Sequence, residues 1–358
     1  MMSMLTVFIS IVYYSCCSTV LADLLCDFNH GSCCPSTPDS VTIADSITSI
    51  PDNAFTGCKT LTSVVIGAGV SNLGHQTFQQ SSLKSITIPS TVTNMGYQTF
   101  SYCPNLVSVD IPSGVTALSD YLFQGCLSLT SIVIPDSVTT IGLEVFFGCS
   151  GLTSVTIGSG VTNIAFRMFA YCTKLTSVVI PNGVGTISEG AFMGCVGLTS
   201  IVIPDSVANL GIEAFLGCSN LVSAILGNGV TQVFERCFAL CSSLTSMAVP
   251  NSVQFLDSGV LMGCSSLQSL ELGNGLNSLN LAFTMTQGCS SLTSITLPNF
   301  LAGAIGMPSS KYVVDSKRVT AYYQTPMANV TFSYCPTIDY YAAVTFTVAG
   351  PPVCPPPP

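Results

Sequence analysis

Cysteine offers the most evident chemistry in this sequence, because ten of its 18 cysteines recur at one position of a regular spacing. A row of thiols could hold metal ions or form a chain of disulfides. The ten residues, most of them 23 positions apart, are Cys58, Cys103, Cys126, Cys149, Cys172, Cys195, Cys218, Cys241, Cys264 and Cys289.

The spacing of these thiols argues against a metal array. A zinc site needs two to four ligands that converge on one point, whereas thiols one period apart form a row in which each points inward at its own level. The pattern therefore favours buried thiols that fill one position of a core. Disulfides between neighbouring repeats are the alternative, because strands about 4.8 Å apart bring Cα atoms near bridging range. We predict no metal and no cofactor.

The other reactive residues form no catalytic constellation. His30 and His75 are the only histidines, and neither has an evident set of Cys or carboxylate partners. The sequence contains no G-x-S-x-G, no H-E-x-x-H and no glycine-rich phosphate loop. Glu144, Glu189 and Glu213 stand near the start of a predicted helical turn, where they would favour the backbone dipole and solvation more than general-acid chemistry. We predict that the protein is not an enzyme.

Composition limits the partners. The chain is 48% hydrophobic but only 7% charged, and its net charge is −9 with eight Lys and Arg in total. Nucleic acids and anionic membranes both select clustered cations. The densest basic group is Lys311, Lys317 and Arg318, so we expect neither nucleic acid nor a membrane surface as a partner.

An internal repeat must position these residues. The phrase LTSIVIPDSV occurs at 129–138 and again at 198–207, three periods of 23 residues later. A leucine opens each repeat, and an aliphatic residue usually follows three and five positions on, which predicts a short strand with one buried face. The leading residues are Leu61, Leu83, Leu106, Leu129, Leu152, Leu175, Leu198, Leu221, Leu244, Leu267 and Leu292.

The rest of each repeat predicts a second extended piece and then one tight helical turn, in which Phe and Cys point inward. A single repeat buries too little apolar surface to offset the entropy of ordering its backbone. Stacked repeats bury one another's faces and pair their strands, so each must resemble its neighbours. The sequence therefore predicts a repeat solenoid of about eleven 23-residue units.

The repeat resembles the BspA-like, or Treponema-pallidum-type, leucine-rich repeat, whose units read close to L-x-x-I-x-I-P-x-x-V-x-x-I-G-x-x-A-F-x-x-C. The match covers about residues 38 to 300. The resemblance implies a curved array with a parallel β-sheet on the concave face and short extended or helical turns on the convex side. It also implies display on, or secretion from, a microbial cell and an association with adhesion. In the repeat that opens at Leu61, Gln-Gln-Ser-Ser replaces the Gly-Cys segment.

The N-terminal region is predicted to be removed or to form a cap. Residues 1–22 indicate a signal peptide that ends at Ala22, although no Lys or Arg precedes its apolar run and an uncleaved anchor is the alternative. Residues 23–40 are interpreted as an N-terminal cap, with Cys26, Cys33 and Cys34 as disulfide candidates, because an oxidising compartment permits the bond. After cleavage, no stretch is long and apolar enough to span a membrane.

The repeat region is predicted at 41–302 and is followed by a C-terminal cap or small β region at 303–350. Alternating stretches such as KYVV and AAVTFTV suggest strands there. Asn329 begins a sequon and is a candidate glycosylation site. Residues 351–358 form a proline-rich tail with polyproline II character.

A candidate binding face follows from the strand pattern, because residues between buried aliphatics must point outward. Serine holds the first outward position of all eleven repeats. A short polar residue that tolerates lateral packing is the simple interpretation, and a flat platform that contacts a partner is the functional one. The predicted site residues are Asp110, Ser131, Val133, Ser154, Thr156, Ser177, Val179, Ser200 and Val202.

We therefore predict a secreted or cell-surface module that binds an extracellular protein or glycan through its concave face. The alternative is a structural component of a matrix or cell wall without a discrete ligand. A weaker third hypothesis is ice binding through the partial threonine ladder that includes Thr130, Thr153 and Thr176. The sequence gives no indication of oligomeric state.

Overall fold

The computed structural model describes residues 39–276, 285–296, 313–315 and 345–347. The chain divides into two compact units, an N-terminal unit at 1–183 and a C-terminal unit at 184–358, and each is described by itself. The predicted signal peptide and nearly all of the predicted N-terminal cap lie outside the described residues. No helix in the described part is long and apolar enough to cross a membrane.

The described chain is built from short β-strands joined by turns. They are β1 (Asp39–Thr42), β2 (Ser49–Ile50), β3 (Leu61–Val65), β4 (Asn72–Leu73), β5 (Ser85–Thr87), β6 (Asn94–Met95), β7 (Ala117–Leu118), β8 (Ser131–Ile134), β9 (Thr140–Ile141), β10 (Ser154–Ile157), β11 (Asn163–Ile164), β12 (Thr186–Ile187), β13 (Ser200–Val202), β14 (Asn209–Leu210), β15 (Ser223–Ile225), β16 (Gln232–Val233), β17 (Ser246–Val249), β18 (Phe255–Leu256), β19 (Ser269–Leu272), β20 (Ser294–Thr296), β21 (Val313–Asp315) and β22 (Thr345–Thr347).

Each repeat forms one turn of a parallel β-solenoid, called a rung here and named after its leading leucine. The strands pair in register with the equivalent positions one period later, so that Ser131 lies beside Ser154 and Ile132 beside Val155. In the C-terminal unit the same register joins β13, β15, β17, β19 and β20 into one sheet. A second row of two-residue strands runs through each unit, for example β7 with β9 and β14 with β16. The predicted fold class is confirmed.

The core is a set of identical side chains stacked along each unit. The leading leucines from Leu61 to Leu267 are fully buried. In the N-terminal unit, rings of successive Phe residues lie nearly parallel, with centroids 5.3 Å apart for Phe100 and Phe123 and 5.5 Å apart for Phe123 and Phe146. In the C-terminal unit the rings of Phe215 and Phe238 are 5.0 Å apart. Each rung therefore buries its neighbour's aromatic face.

The segment predicted as a helical turn is not helical in the described chain, and that expectation was wrong. Backbone N–H groups that a helix would use internally point instead to the next rung. Those of Glu144, Phe146 and Gly148 donate to carbonyl oxygens of the Leu152 rung at 2.9, 2.9 and 2.8 Å. The segment is a series of turns that includes left-handed residues, such as Glu144 with φ of 52° and Gly148 with φ of 71°.

The Phe-x-Gly-Cys segment closes each rung as a β-turn. The N–H of Cys149 donates to the carbonyl of Phe146 at 3.1 Å. Gly148 is the third residue of this turn, where a type II turn requires positive φ. Without a helix there is no helix dipole, so the interpretation of Glu144 and Glu213 also fails. Their carboxylates pair with arginines one rung later, Glu144 with Arg167 at 4.0 Å and Glu213 with Arg236 at 2.9 Å.

In the turns after the longer strands, an Asp or Asn side chain accepts a backbone hydrogen bond from the next rung. In the Leu129 rung, Oδ1 of Asp136 accepts a hydrogen bond from the N–H of Ser159 in the Leu152 rung at 2.6 Å. Ser159 is flanked by Gly158 and Gly160, where a Cβ atom would overlap the backbone of Pro135 and Asp136. Asp45, Asp205 and Asn251 make the same bond to the rungs that contain Gly67-Ala68-Gly69, Gly227-Asn228-Gly229 and Gly273-Asn274-Gly275.

Beyond the solenoid, β21 pairs antiparallel with β22 and lies next to β20. β21 overlaps KYVV, and β22 falls within AAVTFTV. The proposal that residues 303–350 form a cap stays a prediction.

Candidate functional site

All nine residues predicted to form a binding face are exposed. They belong to the strand face, which we define as the second, third and fifth positions of each rung. The Leu106 and Leu175 rungs, which carry Asp110, Ser177 and Val179, form no strand at these positions, contrary to the prediction. Val133 and Val179 in the N-terminal unit are 60% and 81% exposed, and Val202 in the C-terminal unit is 58% exposed. Large aliphatic side chains are therefore presented to solvent on both units. Their role in binding stays a prediction.

Alternation along each strand produces this exposure. Ser131 and Val133 are exposed while Ile132 and Ile134 are buried. Successive side chains of a strand point to opposite faces, and parallel pairing without an offset repeats the choice in the next rung. Equivalent positions of successive rungs therefore lie side by side on the strand face, and a similar residue type recurs at each of them.

The hydroxyl rows of the strand face differ chemically. Thr153 Oγ1 donates to the carbonyl of Thr130 at 3.0 Å, and Thr130 Oγ1 donates to that of Val107 at 3.3 Å. By contrast, the hydroxyls of Ser131, Ser154 and Ser177 make no hydrogen bond to any described group. Because the threonine hydroxyls bond within the solenoid, they do not offer the free ladder that the ice-binding hypothesis requires. The serine hydroxyls are available to a ligand.

Charge is scarce on the strand face, where the described charged residues are Lys84, Asp110 and Glu271. From residue 129 to the end of the N-terminal unit the face carries only Thr, Ser and Val. Asp110, one rung earlier, is exposed. In the C-terminal unit the face is uncharged through Ala248 and then carries Glu271. Such a surface offers apolar side chains and hydroxyl groups more than charge.

The cysteine row has a structural role. In the described part of the chain, ten cysteines are buried free thiols. Cys149 Sγ donates to the carbonyl of Phe123 at 3.1 Å, and Cys126 Sγ donates to that of Phe100 at 3.1 Å. Burial raises the pKa of Cys149 to about 12 and that of Cys103 to about 11, from an ordinary value of 9.0. Neutral thiols are poor nucleophiles and poor metal ligands.

Cys58 departs from the prediction for its row, because it is disulfide-bonded. All other described cysteines are free, so its partner is not among them. The predicted candidates Cys26, Cys33 and Cys34 lie outside the described residues, as do His30 and Asn329. A tenth buried thiol, Cys237, lies outside the repeated position and takes the place of the Ala that precedes Phe.

No group of three or more His, Cys, Asp or Glu residues that could hold a metal ion occurs among the residues that the structure describes. His75 packs against Tyr97, with ring centroids 4.2 Å apart. Its Nδ1 accepts a hydrogen bond from the backbone N–H of Tyr97 at 3.1 Å. His75 therefore has a local structural role.

The turns of the N-terminal unit carry a group of exposed aromatic residues that the repeat pattern did not predict. Tyr97, Tyr102 and Tyr171 are exposed there, and Tyr121 is half-buried. Tyr102 and Tyr171 occupy the position that is Gly in Phe-x-Gly-Cys. This departure from the repeat was the available signal, and comparing all units at that position would have revealed it.

Comparisons with known proteins agree with this geometry. The family model described as "BspA type Leucine rich repeat region" matches in six copies, at residues 32–152, 116–204 and 185–306. A leucine-rich repeat protein from Bacteroides ovatus is 29% identical, with a TM-score of 0.50, over 70% of this chain and 76% of that one. No curated protein sequence matches the chain.

Two further solved structures are similar in fold. A leucine-rich repeat protein from Eubacterium ventriosum is 24% identical, with a TM-score of 0.50, over 72% of this chain and 78% of that one. The pneumococcal vaccine antigen PcpA is 21% identical, with a TM-score of 0.54, over 72% of this chain and 68% of that one.

Proposed function

The chain belongs to the BspA-type leucine-rich repeat family, and from this premise we propose that it is a secreted or cell-surface binding module. Its ligand is an extracellular protein or glycan, and contact is made through the strand face. The site offers recognition without catalysis, because its exposed groups are aliphatic side chains and neutral hydroxyls.

The observation that carries this proposal is the combination of exposed valines and free serine hydroxyls on one regular surface. Val133 and Val179 supply apolar contact, and the serine row beside them supplies hydrogen-bonding groups, of which Ser131 and Ser154 lie on paired strands. Exposed apolar groups without a structural role mark interaction surfaces. Since the sheet is already ordered, binding does not have to order the backbone.

An extracellular location is part of the proposal. It is supported by the apolar N-terminal segment and by the disulfide at Cys58, since disulfides persist in oxidising compartments. The scarcity of charge suits a surface that meets neutral partners.

A charge-insertion experiment tests the proposed face. The full chain and its variant Val133→Glu, Val179→Glu, Val202→Glu are immobilised and offered a panel of purified extracellular matrix proteins and polysaccharides. We expect saturable binding of at least one ligand by the native chain, and at least a tenfold weaker affinity in the variant, because each carboxylate would be desolvated in the contact.

A matched control adds the same charge elsewhere. The variant Thr116→Glu, Thr139→Glu, Thr162→Glu changes three exposed residues beside the second row of strands, and it should bind like the native chain. If folded native protein binds nothing on the panel, the binding proposal fails and the structural role is favoured. If both variants lose binding equally, net charge decides and the strand face is not the site.

A further inference from the structure

The tyrosines of the described chain are concentrated on one surface. All four, Tyr97, Tyr102, Tyr121 and Tyr171, lie in the turn segments of the N-terminal unit, and the described C-terminal unit has none. We call this surface the tyrosine face. It is on the turn side of each rung and is separate from the strand face.

Three of these tyrosines adopt a backbone conformation that favours glycine. The φ angles of Tyr102, Tyr121 and Tyr171 are 55°, 59° and 60°. Gly125 and Gly148 occupy the position of Tyr102 in the next two rungs, with φ of 70° and 71°. The backbone hydrogen bonds are also equivalent, since the N–H groups of Tyr102 and Gly125 both donate to the following rung.

The fold therefore does not need tyrosine at these positions. Glycine forms the same turn at no steric cost, whereas a bulky residue at positive φ is strained. Strained residues of this kind cluster at functional sites. Gln80 and Leu240 hold the same position with φ of 57° and 61°, so strain alone does not mark a function. The feature that distinguishes Tyr102 and Tyr171 is an exposed aromatic ring.

The rings are held in place while part of each stays exposed. A Cβ atom on Gly125 would lie 2.6 Å from Cδ1 of Tyr102, so the Tyr102 ring rests on the glycine of the next rung. Tyr171 packs edge-on against Phe147, with centroids 5.4 Å apart. Tyr102 is nevertheless 48% exposed and Tyr171 43% exposed. Binding to such fixed rings loses little side-chain entropy.

Apart from Lys174, an exposed residue three positions after Tyr171, most charged groups around the tyrosine face are engaged within the protein. Glu144 lies 4.0 Å from Arg167 and accepts a hydrogen bond from Gln124 at 3.0 Å. The carboxylates of Asp52 and Asp120 accept backbone N–H groups at 2.7 and 2.8 Å. The amides of Gln76 and Gln98 bond each other at 2.7 Å. These groups leave the surface polar but with little free charge, which suits an uncharged ligand.

We propose that the tyrosine face is a second binding site and that it takes an uncharged oligosaccharide. The exposed faces of Tyr102 and Tyr171 stack against the apolar C–H faces of sugar rings, while phenol and amide groups bond their hydroxyls. Tyr102 and Tyr171 are three rungs apart, roughly 14 Å at the usual strand spacing. This separation suits an extended chain of several sugars.

Glycine substitution tests the site without disturbing the turn. The full chain and its variant Tyr102→Gly, Tyr171→Gly are run in gels that contain dextran, mannan or a soluble β-glucan, with heparin and chitosan as charged probes. We expect at least one neutral polysaccharide to retard the native chain, with little dependence on salt. The variant should bind at least tenfold more weakly and melt at the same temperature or higher.

The matched control is Leu240→Gly in the C-terminal unit. Leu240 has the same place in its rung, φ of 61° and 49% exposure, so this change relieves the same backbone strain but should leave retardation unaltered. A second variant, Tyr102→Asn with Tyr171→Asn, removes the rings with a residue that tolerates positive φ. It separates loss of the rings from any effect of glycine on folding.

The proposal is overturned if no neutral polysaccharide retards the native chain, or if both tyrosine variants are retarded as strongly as the native chain. Retardation by heparin or chitosan alone, abolished by salt, would also contradict it, because charge would then be the determinant. Substitutions in the strand face should leave this retardation intact, so the outcome does not depend on the function proposed for that face.

Discussion

At the scale of single residues, the cysteine row is explained by the carbonyl groups that it meets. The Phe123 carbonyl accepts the N–H of Cys126 at 3.2 Å within its own rung and the thiol of Cys149 from the next rung at 3.1 Å. A residue at this position must be small and must also donate a hydrogen bond. Ser81 takes the position in the Leu61 rung and contacts the sulfur of Cys103 at 3.3 Å.

These thiols should make the protein sensitive to alkali. Burial holds the pKa of Cys149 at about 12 and that of Cys103 at about 11, above the ordinary value of 9.0. Between pH 9 and these values the unfolded chain binds fewer protons than the folded chain, so the free energy of unfolding falls as pH rises. The loss is about 1.4 kcal/mol per pH unit for each such thiol.

The measurement is guanidinium unfolding between pH 7 and pH 11, with reductant throughout. We expect a constant free energy of unfolding up to about pH 8.5 and a steep decline above pH 9. Cys149→Ala should be less stable at neutral pH but should lose stability with a shallower slope. A free energy that stays constant to pH 11 would show that the thiols are not buried as described.

At the scale of structural elements, each turn is fitted to the rung beside it. Asp136 caps an N–H in the following rung, and Gly158 and Gly160 allow that rung to approach closely. The aspartate bond lowers the pKa of the exposed Asp136 carboxyl below its usual value. A rung with a capping carboxylate therefore requires a glycine-flanked loop in the rung that follows.

Two equivalent glycines in adjacent rungs should respond differently to alanine. In Gly160→Ala the new Cβ would overlap the carbonyl oxygen of Asp136, whereas in Gly183→Ala the nearest atom, the carbonyl oxygen of Ser159, is 3.3 Å away. We expect Gly160→Ala to destabilise the protein by about 1 to 3 kcal/mol and Gly183→Ala by much less. Chemical denaturation followed by circular dichroism gives both values. Equal losses would contradict the fitted turns.

The sequence predicted the strands, the inward residues and the exposed strand face, because a period of two inside a period of 23 leaves little choice of register. It did not predict the turns whose backbone N–H groups bond the next rung. A helical turn and the observed turns bury the same Phe146 and Cys149, and only the hydrogen bonds to a neighbouring rung distinguish them. The sequence also could not predict the disulfide at Cys58, because the same position holds free thiols in other rungs.

At the scale of the whole molecule, a solenoid rung contacts only the rungs beside it, so stability is local and the ends open first. In the C-terminal unit, β21 lies next to β20, the last strand of the repeat sheet. An uncovered parallel strand presents unpaired N–H and C=O groups. The segment that lies beside β20 is therefore expected to keep that end of the sheet structured.

Truncation should affect exchange only near this end. We expect removal of residues 303–358 to increase amide hydrogen exchange in β19 and β20 by at least tenfold, while β8 and β10 exchange as in the full chain. Mass spectrometry of peptic fragments measures both regions. Unchanged exchange in β19 and β20 would show that the segment after the repeats does not protect them.

The fitted turns also restrict how such a gene can grow. Unequal recombination can separate Asp136 from the glycine-flanked loop that it bonds, a pair that we call a partnership. The loop would then lie beside a rung without a carboxylate, or the carboxylate would face a loop too bulky to approach. The repeated phrase at 129–138 and 198–207 is separated by three rungs, and that interval carries one complete partnership. Duplications that keep each carboxylate with its glycine-flanked loop are expected to yield a foldable product. New copies should therefore arise in blocks whose boundaries lie between one complete partnership and the next.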